Sequence, residues 1–279
     1  MSVKVHKQIS ELDKKNISPG LAVILVGDNP ASKIYVKNKQ KFFTKNNCHS
    51  KTFLFKSNVS EDKIIKLIYD LNSNSQFHGI LVQLPLPGHI NSQKIINAIS
   101  PHKDVDGFHP ENLGKLFLGY SKFIPCTPYG ILELLKYYRI DAKGKHAVIV
   151  GRSNIVGKPM VSLLSQSSEF GNATVTVCHS KTKSLKSHTL KADILIAATG
   201  VPNLITCDMV NEHCHVVDVG INRIEDDSEK GYRIVGDVDF EGCKDKVLSI
   251  TPVPGGVGPM TIMMLLVNTV QSARDAVVE

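Results

Sequence analysis

Short apolar runs that stop at glycine or proline, each followed by an amphipathic stretch, constrain this chain more than any other feature. Leu21-Ala-Val-Ile-Leu-Val26 stops at Gly27-Asp28, Gly79-Ile-Leu-Val-Gln-Leu84 runs into Pro85, and Ala147-Val-Ile-Val150 opens into Gly151. Runs this short and apolar read as buried strands, and the helical stretches between them supply the crossovers that parallel strands need. The pattern predicts an α/β protein with mainly parallel sheets. In the first half, Asn29-Pro30 reads as an N-cap followed by proline at the first helical position, opening a helix to about residue 45. Ile64, Ile65, Ile68 and Leu71 form the apolar face of another helix. In the second half, Thr127-Pro128 starts a helix striped by Ile131, Leu132, Leu135 and Tyr138. Then come a strand at 147–150, a glycine turn, a helix, and strands at 173–177, 193–197 and 216–219, with a helix before the third. That succession is Rossmann-like. A last helix from about Thr261 has no strand after it and is expected to return to the first half.

At 279 residues the chain suits two compact domains, and 42% apolar with 21% charged residues marks an ordinary globular protein. No apolar run is long enough to cross a membrane, and the first residues lack a signal core, so a cytoplasmic protein is expected. Six scattered cysteines without a CxxC pair read as free thiols. Cys207, His213, Cys214 and His215 lie close in sequence, but three are consecutive and lead into a strand, which sends neighbours to opposite faces. No metal site is expected. The net charge of +7 sits without any nucleic-acid-binding signature, so it reads as a solvated basic face together with attraction of an acidic small molecule.

The strand ending at Val150 opens into Gly151-Arg-Ser-Asn-Ile-Val-Gly157, with Lys158-Pro159 beginning a helix. Glycine permits a tight turn, and a helix N-terminus offers N–H groups and positive dipole to a pyrophosphate. Only the outer glycines of GxGxxG are present, with Ser153 in place of the second, so alone the turn is equally an ordinary βα connection. The next strand ends Cys178-His179-Ser180-Lys181-Thr182-Lys183, with no acid to hold ribose hydroxyls. A hydroxyl and cations there, with Arg152 from the first turn, suit a 2′-phosphate and favour NADP over NAD.

Tyr35 and Lys39 stand one helical turn apart, Gln83 interrupts an apolar strand, and Asp104-Val-Asp106-Gly107 forms a loop. Separately these read as a surface lysine, a solvent-facing glutamine and a turn. They occur, however, with Pro125-Cys-Thr-Pro128 and with Thr251-Pro-Val-Pro-Gly-Gly-Val-Gly-Pro-Met-Thr261. In this order the motifs span nearly the whole chain and closely resemble the bifunctional methylenetetrahydrofolate dehydrogenase/cyclohydrolase (FolD-type) family.

The resemblance implies a two-domain α/β protein with a cleft between its domains. A smaller α/β catalytic domain at 1–122 would bind folate, completed by a C-terminal helix at 260–279 packing back on it. A Rossmann-like NADP domain would occupy 123–259. It implies that Lys39 is catalytic, that Tyr35 stacks near the pterin, that Gln83 supports Lys39 and that Asp106 grips the pterin. Val82, Leu84, Asp104, Pro254, Gly255, Gly256, Gly258 and Pro259 would line the substrate. Gly151, Arg152, Ser153, Ile155, Val156, Gly157, His179, Ser180 and Ile221 would contact the dinucleotide. A homodimer is expected on the same ground. Two departures stand out: the family's initial strand with Asp-Gly-Lys is not seen, and 163–172 is a few residues longer than expected, a surface-loop difference. A shikimate-type NADP dehydrogenase would lack the Pro-Gly-Gly-Val-Gly-Pro loop. A non-catalytic dinucleotide sensor could keep the Gly151 turn but has little use for Tyr35, Lys39, Gln83 and Asp106 together.

Overall fold

The computed structural model describes residues 2–227 and 231–277. Met1, residues 228–230 and residues 278–279, which fall in the spans expected for the two domains, lie outside the described residues. The chain forms two compact units: one holds the chain up to Lys115, Ser121–Cys126 and the stretch from Ile262 onward, the other Leu116–Tyr120 and Thr127–Thr261.

The first unit runs α1 (Ser2–Asp13), β1 (Gly20–Val26), α2 (Pro30–Lys45), β2 (His49–Phe55), α3 (Glu61–Ser73), β3 (Gly79–Val82), α4 (Ser92–Ala98) and most of α5 (Pro110–Phe117). Its three strands are parallel in the order β2-β1-β3. β1 is buried along its whole length, as its unbroken apolar run requires. The Asn29 side chain accepts from the Ser32 N–H at 3.1 Å, with Pro30 in the first turn, so α2 starts where cap chemistry places it. Ile64, Ile68 and Leu71 of α3 pack with Ile80 and Val82 into this unit's core, with Ile65 at its margin.

The second unit continues with α6 (Cys126–Tyr137), β4 (His146–Val150), α7 (Gly157–Ser165), β5 (Thr174–Cys178), α8 (Leu185–Thr189), β6 (Ile194–Ala197), β7 (His215–Asp218), β8 (Asn222–Glu225), β9 (Tyr232–Val235), α9 (Phe240–Cys243) and β10 (Ser249–Ile250). β10-β7-β6-β4-β5 form one parallel sheet. Its strand order reverses between β4 and β6, the switch point at which doubly wound sheets bind ligands. α10 (Val257–Asp275) begins in the second unit and contributes its length from Ile262 to the first.

Several boundaries differ from the sequence reading. The strand from Gly79 ends at Val82, because Gln83 turns its side chain to other work and Pro85 has no N–H to extend a ladder. β5 lies one residue later than 173–177 and β7 one residue earlier than 216–219, while β6 begins one residue after 193 and ends at 197 as expected. α6 and α7 start one residue early, and α10 starts four residues before Thr261, taking Pro259 into its first turn. Tyr138 lies beyond α6, exposed and edge-on to Tyr137, and not in the apolar stripe. β2 and the β8–β9 hairpin were not anticipated; polar and charged residues make up much of each, and β2 has only the short apolar end Phe53-Leu-Phe55. Among the described residues no group of three or more His, Cys, Asp or Glu side chains converges as metal ligands.

Candidate active site

Helix geometry places Tyr35 and Lys39 on one side of α2, and the first unit folds over the lysine until only 4% of it is exposed. Its Nζ donates to Gln83 Oε1 at 3.1 Å and lies 4.4 Å from the centre of the Tyr35 ring. Gln83 follows β3 directly: its N–H donates to the Ile24 carbonyl and its Nε2 to the Leu84 carbonyl, 2.9 and 2.8 Å. That second bond fixes which way the amide faces, so Oε1 is the atom turned to the lysine. Leu84 leads into Pro85 through a cis peptide. Val82, expected against substrate, is instead buried in the core of this unit.

The two aspartates of the loop after α4 divide their work. Asp104, expected to touch substrate, is 1% exposed. Its Oδ1 accepts the Phe108 N–H at 3.1 Å, and its Oδ2 accepts the His109 N–H and Asn112 Nδ2, both at 2.8 Å. Those bonds occupy the carboxylate in shaping the loop, so Asp104 is a loop-former. Asp106 is half-buried and close enough to Lys39 for each to feel the other's charge.

Burial disfavours charge on both. It holds the Lys39 ammonium below the ordinary lysine range, against the pull of Asp106. It also lifts the Asp106 carboxyl above the usual carboxylate range, with Lys39 working the other way. The amine of Lys39 therefore holds its proton less tightly than a solvated lysine does.

Two neighbours escaped the sequence reading of roles. The buried Cys126 thiol, within the quoted Pro-Cys-Thr-Pro motif, reaches Asp106 and donates to the Val105 carbonyl at 3.3 Å. Asn268 of α10 donates to the Val105 and Ile124 carbonyls, both at 2.9 Å, clamping the backbone beside Asp106 and Cys126. A lone asparagine within Ile262-Met-Met-Leu-Leu-Val-Asn-Thr-Val270 was the available signal.

The residues expected to contact a dinucleotide lie in the second unit, beyond the C-terminal ends of β4, β5 and β7. Gly151 has φ +132°, and a Cβ there would strike the Ala198 carbonyl; one at Gly157 would strike the carbonyl of Gly151. Both positions need glycine for close backbone approach. Ser153 Oγ accepts from the Val156 and Gly157 N–H groups at 3.1 and 3.4 Å, so it tightens the turn where a second glycine would stand. Arg152 and Lys158 are exposed beside it, and Ile155 is exposed at the turn. After β5, the His179 N–H donates to Thr182 Oγ1 at 2.9 Å, leaving Ser180, Lys181 and Lys183 facing solvent with no carboxylate between Cys178 and Lys183. A backbone cradle, a helix start and unopposed cations fit a dinucleotide bearing an extra phosphate. Ile221, just beyond β7, is 63% exposed.

The Pro254-to-Pro259 segment also belongs to the second unit. It has a cis Val253-Pro254 peptide, Gly255 at φ +111° and a Gly256 N–H bonded to the Pro252 carbonyl at 2.9 Å. Gly258 and Pro259 already lie in the first turn of α10. The expected site residues thus form two sets, each assembled within its own unit.

Residues 1–106 match the catalytic domain, and residues 125–277 the NAD(P)-binding domain, of the tetrahydrofolate dehydrogenase/cyclohydrolase family. The bifunctional protein FolD of Chloroherpeton thalassium is 54% identical over 275 residues, 98% of this chain and 92% of the relative. The solved bifunctional FolD methylenetetrahydrofolate dehydrogenase/cyclohydrolase of Campylobacter jejuni is 52% identical with a TM-score of 0.91, covering 98% of this chain and 94% of that one. The dehydrogenase-cyclohydrolase of Trypanosoma brucei, solved with NADP and an inhibitor, is 34% identical with a TM-score of 0.93, covering 98% and 93%. From its motifs, its sheets and its likeness along nearly its full length, the chain belongs to the tetrahydrofolate dehydrogenase/cyclohydrolase family.

Proposed function

We propose that this chain oxidises 5,10-methylenetetrahydrofolate to 5,10-methenyltetrahydrofolate with NADP and hydrolyses the product to 10-formyltetrahydrofolate. This one-carbon chemistry feeds purine biosynthesis. The observation that carries the reading is the lysine withdrawn from water, with Gln83 on its amine and Tyr35 beneath it.

NADP, when bound, takes up the hydride released from the methylene bridge. No proton moves in that step, so the chain's part is to hold folate in place. Asp106 is the residue for this, as a carboxylate accepts paired hydrogen bonds from the pterin N3–H and 2-amino group. Tyr35 offers its ring beside the pterin, and Leu84 lines the substrate.

Water then adds to the methenyl carbon and gives up one proton to the base; as the bond from that carbon to N5 opens, the remaining hydroxyl proton is transferred to N5 and the carbon is left as the formyl group on N10. Lys39 is the base: burial has already weakened its hold on a proton, and a cationic substrate weakens it further. Gln83 aims the amine. Arg152 and Ser180 receive the 2′-phosphate, while Gly151, Ser153, Ile155, Val156, Gly157, His179 and Ile221 form the rest of the dinucleotide surface. We place the enzyme in the cytoplasm as a homodimer. No helix among the described residues is long and apolar enough to cross a membrane.

Absorbance of the methenyl product is the direct test, followed under methylenetetrahydrofolate with NADP and then with NAD. Formation faster with NADP, followed by decay to the formyl product, is expected. No absorbance change with either dinucleotide would overturn the assignment.

A further inference from the structure

The second unit contains two fully buried carboxylates that the reaction above does not use: Asp218, closing β7, and Asp237, beyond β9, 2% and 0% exposed. Among the described residues neither forms an ion pair. Asp218 is bound locally, its Oδ1 accepting the Gly220 and Asp237 N–H groups and its Oδ2 that of Val238, all at 2.9 Å.

Asp237 reaches further. Its Oδ2 accepts the Thr199 N–H at 2.5 Å, with Thr199 Oγ1 and the Gly200 N–H both at 3.0 Å. Its Oδ1 accepts Asn222 Nδ2 at 2.9 Å. The approach is close enough that a Cβ on Gly220 would strike this carboxyl.

These bonds end at the edge of the sheet where the dinucleotide turn lies. Thr199-Gly200 follows Ala198, whose carbonyl closes over Gly151 and whose N–H donates to the Val150 carbonyl at 2.8 Å. Asn222, the first residue of β8, follows Ile221, at the end of the connection from β7. A dinucleotide laid along this edge with its 2′-phosphate beyond β5 and its pyrophosphate at the Gly151 turn extends its other half over the loops beyond β6 and β7. Those are the loops that one carboxylate ties together. Burying a carboxylate is costly unless its oxygens are fully hydrogen-bonded, and these are bonded by four donors from two separate segments.

We propose that Asp237 is a positioning residue for the dinucleotide, holding Thr199-Gly200 and Ile221-Asn222 in the arrangement that receives its nicotinamide half. This rests on the dehydrogenase reading. The hydrogen bonds fix the loops before the cofactor arrives, so the ordering is not drawn from binding.

The test compares wild type, Asp237→Ala and Thr199→Val in three assays: NADPH binding by fluorescence, dehydrogenase kinetics and cyclohydrolase turnover. Losing hydrogen bonds to a charged acceptor in Asp237→Ala should raise KM and Kd for the dinucleotide at least about tenfold. The KM for folate and the cyclohydrolase turnover, which needs no dinucleotide, should hold. Thr199→Val keeps shape and deletes one donor, so its dinucleotide KM should rise by only a few-fold, and it decides the matter if Asp237→Ala does not fold. Unchanged dinucleotide affinity in Asp237→Ala, or in Thr199→Val where that decides, would overturn the proposal. So would a parallel fall of both activities, which would make Asp237 a support for the fold alone. Wild type that binds NADPH yet leaves methylenetetrahydrofolate untouched would refute the dehydrogenase reading, and the binding series would still settle Asp237.

Discussion

Lys39 in the first unit has lost nearly all contact with water, while Arg152 in the second remains in it, and the surroundings of each follow suit. Around Lys39 the working parts are side chains: an amide on the amine, a ring below it, a carboxyl within electrostatic reach. Around Gly151 the working parts are backbone, shaped by two glycines and a serine, with exposed charged side chains at the rim. Moving a proton near neutral pH requires a lysine with an altered proton affinity, and only burial and neighbouring charge supply that. Gripping a phosphate requires close backbone and a cation that keeps its charge, which burial would hinder.

Lys39→Met bears hardest on this contrast, because methionine keeps length and packing but takes no proton. Cyclohydrolase turnover at saturating substrate should fall by ~10²–10⁴, the usual cost of losing a general base. Hydride transfer should survive in part. If Lys39 only neutralised an acidic substrate tail, both activities would recover together at saturation, so an undiminished cyclohydrolase rate refutes its role.

The pH dependence sharpens the same point. The unprotonated amine is the active form and its pKa lies below the ordinary lysine value, so cyclohydrolase turnover should rise with pH and level off before free lysine would titrate. Below the midpoint the rise approaches about tenfold per pH unit, while the hydride step stays nearly flat. A cyclohydrolase profile without that rise would remove Lys39 as the base.

The other site predicts a smaller and more selective effect. Arg152→Ala should raise the KM for NADP by roughly tenfold, the scale of one charge-assisted phosphate contact, and leave NAD little changed. Equal losses with both dinucleotides would contradict the 2′-phosphate assignment. The least effect on chemistry is expected from association. Sedimentation at micromolar concentration should give a dimer, and a species of 30.6 kDa would exclude it.

What the sequence disclosed follows the same division. The Gly151 turn was readable because its requirements are local: glycine where backbone approaches backbone, and no acid after the next strand. The buried parallel strands were readable from their apolar runs, though β5 and β7 are each offset by one residue. The catalytic set was less so. Tyr35 and Lys39 share a helix side by spacing, but the burial of Lys39 depends on elements far away in the chain. Two aspartates two residues apart look alike in sequence, and only the bonds from Phe108, His109 and Asn112 mark Asp104 as the structural one. β2 and the β8–β9 hairpin went unforeseen because polar and charged residues break up their apolar ones and leave no long hydrophobic run.

The course of α10 has a consequence for biosynthesis. Its residues from Ile262 belong with the first unit, and Asn268 clamps the carbonyl next to Asp106. A ribosome makes the first unit's sheet before the second unit and this helix after it. The unit whose synthesis begins first is therefore the later to be completed, and the whole second unit emerges while the folate site still lacks its clamp. On the growing polypeptide, the dinucleotide fold can mature before the hydrolytic one.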